Sequence, residues 1–321
     1  MIPNVLTPSH SLCTSAVFCL ALLPGAAGAQ EAYPSKPVTL IVGQSAGAPA
    51  DLLARALGGQ ISQLLGQPMI VVNRDGAAGT IAVEAVKRAT PDGYTLGYGT
   101  QGPFTLQPNL RKVMQYKSDE FEFICQTNVF VPVVAVGLKS PYHSLRELVD
   151  AARKAPGTIT LGSVGIGSGP HIIGEGIGLD AGVKFNHIPF RSPAEVNTQI
   201  ISGAIDFTVT APRSDLRPLA ATGKTRLGIL PEVPLLRELG FKRGAVPGFT
   251  GLFALKGVPA GVLARLRQVC PAAVDSEPFK TASERLVAPR DFADSAEYTE
   301  NIRQDMRAMS EILTALGVKP E

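Results

Sequence analysis

The sequence contains no tryptophan, and aromatic residues of all kinds make up only 6% of its 321 positions. Stacking platforms for nucleic-acid bases are therefore not suggested. Charge is also scarce. Charged residues are 18% of the chain, the formal net charge is +3, and no block of lysine and arginine offers a nucleic-acid footprint. No HExxH, CxxC or clustered His/Asp/Glu spacing points to a metal. Neither Ser163 nor Ser168 is flanked by glycine at both −2 and +2, so a nucleophile elbow is missing. No segment reaches the ~18 uncharged apolar residues of a membrane span, and no repeat recurs at a fixed period. These absences argue against a nucleic-acid partner, stable membrane insertion, a metal or other cofactor, and a catalytic residue.

What is present is glycine and proline, 33 and 26 residues, within a composition that is 45% hydrophobic. That combination fits a loop-rich α/β protein of roughly two domains. The first 29 residues hold no Lys, Arg, Asp or Glu, and the apolar run Ala16 to Leu23 is followed by Pro24-Gly25 and Ala27-Gly28-Ala29. This pattern reads as a signal peptide cut near Ala29, leaving Gln30 first and placing the protein outside the inner membrane. Its n-region offers only the α-amino group and His10 as positive charge. Cys13 and Cys19 would leave with the leader. Cys125 and Cys270 remain, which is not a disulfide framework. They read as buried packing residues, with a bridge permitted in an oxidising compartment if they lie close.

The stretch from Val38 to Leu65 organises the rest. Val38 to Val42 is a β-branched apolar run, and Leu52, Leu53, Ala56, Leu57, Ile61, Leu64 and Leu65 recur at helical spacing before Gly66. A small-residue loop between strand and helix aims unpaired N–H groups and a helix dipole at whatever lies above it. Asp51 reads as a residue of the helix N-terminus rather than a ligand contact. Further strands are expected at Met69–Val72 and Tyr94–Tyr98, with a helix over Thr80–Ala89, and this βαβα alternation argues for a parallel sheet covered by helices. The same strand, loop and helix recur at Thr158 to Leu179, with Pro170 placed as a first helical residue. Strands at Asn186–Phe190, Ile205–Thr210 and Phe249–Leu255 come next, with helices over Ala194–Ile201 and Val262–Ala273. Arg226 to Leu230 is short and apolar. Asp294 to Leu316 is expected as a charged amphipathic helix on the surface.

Gly97 to Gly102 matches GxGxxG, but Pro103 and Pro108 interrupt the helix that such a motif should open, and no acidic residue stands where a ribose contact needs one. His171 and His187 can in principle act as general bases, and His171 near a helix start also suits a hydrogen-bonded scaffold. Arg191 and Thr210 stand at strand ends, where α/β sheets bind ligands. Arg191 fits a carboxylate bidentately; Thr210 can donate to a ligand oxygen or cap a turn.

Several motifs together resemble the periplasmic solute receptors of tripartite tricarboxylate transporters, the Bug-type receptors. They are Tyr33 to Val42, Asn73-Arg74 with Gly76 and Gly79, Pro91 to Leu96, Gly165 to Ser168 with His171, Gly174-Glu175, His187 to Phe190, Gly203 with Asp206, and Gly251 to Ala254 with Pro259. The resemblance runs from about Tyr33 to Val318. It implies a two-lobed, type II, flytrap-like binding protein with parallel-rich sheets and a hinge. Residues 30–130 plus 247–321 would form one lobe and 131–246 the other. It implies a small carboxylate held by backbone groups and waters of the two glycine-rich loops, in a monomer that meets transporter membrane subunits transiently. The candidate ligand-binding residues are then Gln44, Ser45, Ala46, Gly47, Ala48, Thr100, Gln101, Gly165, Gly167, Ser168, Gly169, His171, Arg191 and Thr210. The chain departs from the family pattern in the first loop, at Arg191-Ser192 and at Thr210. It also lacks a segment that usually precedes Pro231 to Pro234 and carries a polar loop on the ligand side. A receptor feeding a signalling partner, or an enzyme acting on small acids, are the alternative readings.

Overall fold

Hydrophobic patterning and turn chemistry translate into alternating strands and helices along most of the chain. A computed structural model describes Met1 and residues 33–245 and 247–320. The expected signal peptide, with Cys13 and Cys19, lies outside the described residues. In chain order, the first elements are β1 (Val38–Val42), α1 (Pro49–Leu65), β2 (Met69–Asn73), α2 (Thr80–Lys87), β3 (Thr95–Thr100), α3 (Gly102–Thr105), α4 (Gln107–Leu110) and β4 (Phe121–Phe130). Next come β5 (Val133–Gly137), α5 (Leu145–Lys154), β6 (Thr160–Ser163), α6 (Gly169–Ala181), β7 (Asn186–Pro189), α7 (Pro193–Ser202), β8 (Phe207–Thr210) and β9 (Leu216–Ala221). The last are β10 (Gly248–Leu255), α8 (Ala260–Val274), α9 (Glu277–Arg285), β11 (Arg290–Ala293) and α10 (Ser295–Ala315).

Two mixed, open sheets result. The six-stranded sheet runs β11-β4-β10-β3-β1-β2 and the five-stranded sheet runs β7-β6-β8-β5-β9. Parallel pairing joins β1 to β2 and β3, and β6 to β7 and β8. These are the strands joined by right-sized helical crossovers, as parallel pairing requires. Antiparallel strands complete both sheets. The chain leaves the first sheet after Phe130 and rejoins it at Gly248.

Each sheet is apolar on both faces. On one side of the first sheet Leu40, Leu57, Leu96 and Leu266 pack together; on the other, Phe104 meets Phe121, Phe123 and Phe253 edge to face. Gly97 is required here, because a Cβ at that position would meet the Phe253 ring at 2.2 Å. Val134, Leu148, Leu161 and Phe207 fill one side of the second sheet; Val133, Val196, Ile200 and Ile205 fill the other.

Cys125 and Cys270 are buried, as expected, and the bridge the sequence left open is formed, tying β4 to α8. The short apolar run Arg226 to Leu230 lies in a turn, and the strand that precedes it is β9. Helix α10 is amphipathic as its spacing predicts, with one face exposed and the other packed inward. Tyr298, Ile302, Asp305, Met309, Ile312 and Leu313 are buried, and Ile172 of α6 shares an apolar seam with Met309, Ile312 and Leu313.

Candidate functional site

Both strand–loop–helix devices put a helix N-terminus at the end of a sheet, yet their amides are used differently. In the first loop, Gln44 folds back over α1 and its Oε1 accepts from the Ala50 amide at 3.0 Å. The Ala48 amide donates to the Ser45 carbonyl at 3.1 Å. The Gly47 amide donates to Asp51 at 2.8 Å. Asp51 is 1% exposed, and it also accepts from Arg55 Nε at 3.0 Å and Asn73 Nδ2 at 2.8 Å. Burial pushes its carboxyl up, but the bonds from Arg55, Gly47 and Asn73 outweigh that and hold it below the usual carboxylate range. Ser45 is bonded to Asp75. An anion is thus already present at the start of α1, and it belongs to the chain.

The second loop is braced from behind by two histidines. Gly167 donates its amide to His171 Nδ1 at 3.1 Å, so the proton of that ring sits on Nε2, 3.9 Å from Glu175. The His171 and His187 rings lie 4.0 Å apart, and His187 Nε2 is 2.7 Å from Ser163 Oγ. Burial, and next the neighbouring His187, push His171 down to about 4; burial alone pushes His187 down. Both are neutral near pH 7, which suits bracing rather than charge pairing. Gly167 must be glycine: its φ is +75° and a Cβ would meet Leu110 at 2.8 Å. At the start of α6 no side chain caps the helix, and the Gly169 amide has no backbone acceptor among the described residues.

A cavity of about 380 Å³ lies between the sheets. From the first sheet's side it is lined by Gln101, Gly102, Thr105 and Leu106, and by Asp305 and Met309 of α10; from the second by Ser163, Gly169, Asn197 and Thr210, among others. Most of the wall is apolar. Asp305 is 5% exposed and neither carboxyl oxygen has a hydrogen-bond partner of good geometry. Burial pushes it up to about 6, with Thr105 and Gln101 only partly offsetting the effect. A second cavity of about 230 Å³, bounded by Gln44, Asp75 and Thr100, lies at the first loop.

The residues expected from sequence therefore separate. Gln101, Gly169 and Thr210 line the larger cavity, and Gln44 and Thr100 line the smaller one. Ser45, Ala46, Gly47 and Ala48 belong to the first loop and line neither, and Gly165, Gly167, Ser168 and His171 of the second loop and the start of α6 line neither as well. Arg191 is exposed, and its backbone amide donates to Glu195 at 3.0 Å. Sequence reasoning missed Thr105, Phe130, Asp305 and Met309. For Asp305 a signal existed: it falls on the helical stripe of Tyr298, Ile302 and Met309, a lone acid among apolar positions.

Among the described residues, no helix is long and apolar enough to cross a membrane, and no group of three or more His, Cys, Asp or Glu is placed to hold a metal ion. Comparison with known proteins gives a consistent answer. A family model described as tripartite tricarboxylate transporter family receptor matches residues 53–318. A UPF0065 protein of Bordetella bronchiseptica is 32% identical over 300 residues, covering 90% of this chain and 86% of that protein. The crystal structure of a TctC solute-binding protein from Polaromonas is 27% identical, with a TM-score of 0.79, covering 88% of this chain and 99% of that one. The periplasmic binding protein BugD is 27% identical, with a TM-score of 0.71, covering 90% of this chain and all of that one.

Proposed function

We propose, for a chain that belongs to the tripartite tricarboxylate transporter receptor family, that it is an exported receptor taking a small carboxylate into the cavity between its sheets. As a member of that family it is a solute-binding protein and not an enzyme. The observation that carries the ligand reading is the cavity itself, which draws its wall from both sheets and includes an uncapped helix N-terminus. Such a terminus favours a negative group without a full opposing charge, and water can complete the contacts.

On this reading, residues 30–130 with 247–321 close on residues 131–246 as a hinge. The lobes turn about the points where the chain leaves the first sheet after Phe130 and rejoins it at Gly248. The closed form is what the membrane subunits of a tripartite transporter recognise, and the protein reaches them after removal of its leader near Ala29.

Thermal stabilisation against a panel of carboxylic acids tests the reading. A ligand at a hundred times its dissociation constant adds ~2.7 kcal/mol. An unchanged melting temperature with every acid of the panel would remove the carboxylate from the proposal.

A further inference from the structure

Which carboxylates fit depends on how the two helix starts differ, given the receptor reading above. At the start of α1, the Ala50 amide is bonded to Gln44 and the Asp51 carboxylate takes the Gly47 amide, whereas in the second loop the neutral His171 takes the Gly167 amide. At the start of α6, Gly169 lines the cavity and its amide has no backbone acceptor among the described residues. Thr210 and Asn197 line the same cavity, with side chains that can donate to one carboxylate. One anion site therefore remains where two loops are present.

The rest of the wall tells against a second charge. Leu106, Phe130, Val164, Ile172, Val196 and Met309 line it, and no Lys, Arg or His does so among the described residues. Among the described residues the one ionisable side chain there is Asp305, buried and with no hydrogen-bond partner of good geometry. A second carboxylate on the ligand would meet like charge in a poorly screened space, with no cation to offset it.

We propose that the ligand is a monocarboxylate with an apolar body, aliphatic or aromatic, and that Asp305 excludes acids bearing a second carboxylate. The α6 start takes the carboxylate, and the apolar wall takes the body.

Calorimetric titration of the purified protein with chain-matched acids tests this: pentanoate, hexanoate and octanoate against glutarate, adipate and suberate, and benzoate against terephthalate. The expected result is that at least one monoacid binds about tenfold or more tighter than its diacid, and that Asp305→Asn narrows the gap. Asp305→Ser repeats the variant arm should the amide not fold, and the wild-type comparison stands without either. Diacids binding wild type as tightly as the monoacids would overturn the proposal. A gap unmoved in both variants would overturn the role of Asp305. Binding of neither kind of acid would remove the carboxylate-receptor reading itself, and this inference with it.

Discussion

Acid pH should loosen the second loop through His171, and the size of the effect is set by its surroundings. The ring is 6% exposed and its Nδ1 accepts from Gly167, so a proton there both charges a buried group and breaks the bond. The folded-state value lies near 4 against the usual 6.5. The stability held by neutral His171 is fully present above 6.5 and is lost as pH falls towards 4, because the unfolded chain takes up the proton first. At about 1.4 kcal/mol per unit, the loss is about 3 kcal/mol. Asp305 acts in the opposite sense: its carboxyl is raised from 3.8 to about 6, so the folded state is favoured as pH falls through that window. The raw profile of the wild type is therefore shallow, and the His171 component must be isolated by subtraction. His171→Asn keeps an acceptor for the Gly167 amide and does not titrate. Urea unfolding of wild type and His171→Asn between pH 7 and 4 should give a stability difference that moves by about 3 kcal/mol across that range. At pH 7, His171→Ala should be less stable than His171→Asn by about 1–3 kcal/mol, because it orphans the buried amide. A pH-independent difference, or equal stability of the two variants at pH 7, would refute the bracing argument.

Other perturbations have clear signs. The disulfide closes a segment of 145 residues, so reduction, or Cys125→Ser with Cys270→Ser, should lower stability by about 3–5 kcal/mol, read as a shift in the denaturant midpoint. Asp51→Ala removes the partner of Gly47, Arg55 and Asn73 at once and should cost about 3 kcal/mol or more in the same assay. Within α6, Gly176→Ala should destabilise by about 1–3 kcal/mol, since its Cβ would meet the Arg243 backbone at 2.8 Å. Gly169→Ala meets nothing within 4 Å and should leave the melting temperature unchanged.

Much of the architecture is legible in the sequence because it rests on local signals. The β-branched run before α1, Gly66 after it and Pro170 at the start of α6 each report on a few neighbouring residues. What escapes depends on distant parts of the chain. Arg217 and Pro218 interrupt the apolar pattern of β9, which is tolerated because β9 is the edge strand beside β5, bridged beyond it at Ala221 to Leu235. The apolar pattern over Arg226 to Leu230 instead serves a turn. The stripe along α10 shows which side is buried but not that it faces α6 and the cavity. The two glycine-rich loops look alike as sequence; only Gln44 folding back on Ala50, and an ionised Asp51 rather than a neutral His171 taking the loop amide, set them apart.

On the receptor reading proposed above, that difference makes the two halves unequal partners in capture. A first loop that satisfies its own charge is preorganised before any guest arrives, and its ordering entropy was lost on folding. The entropy lost on capture then falls mainly on the second half, whose helix start still waits for an acceptor. Hydrogen exchange should show it, with amides around 163–171 slowing on saturation and those around 44–55 keeping their rates.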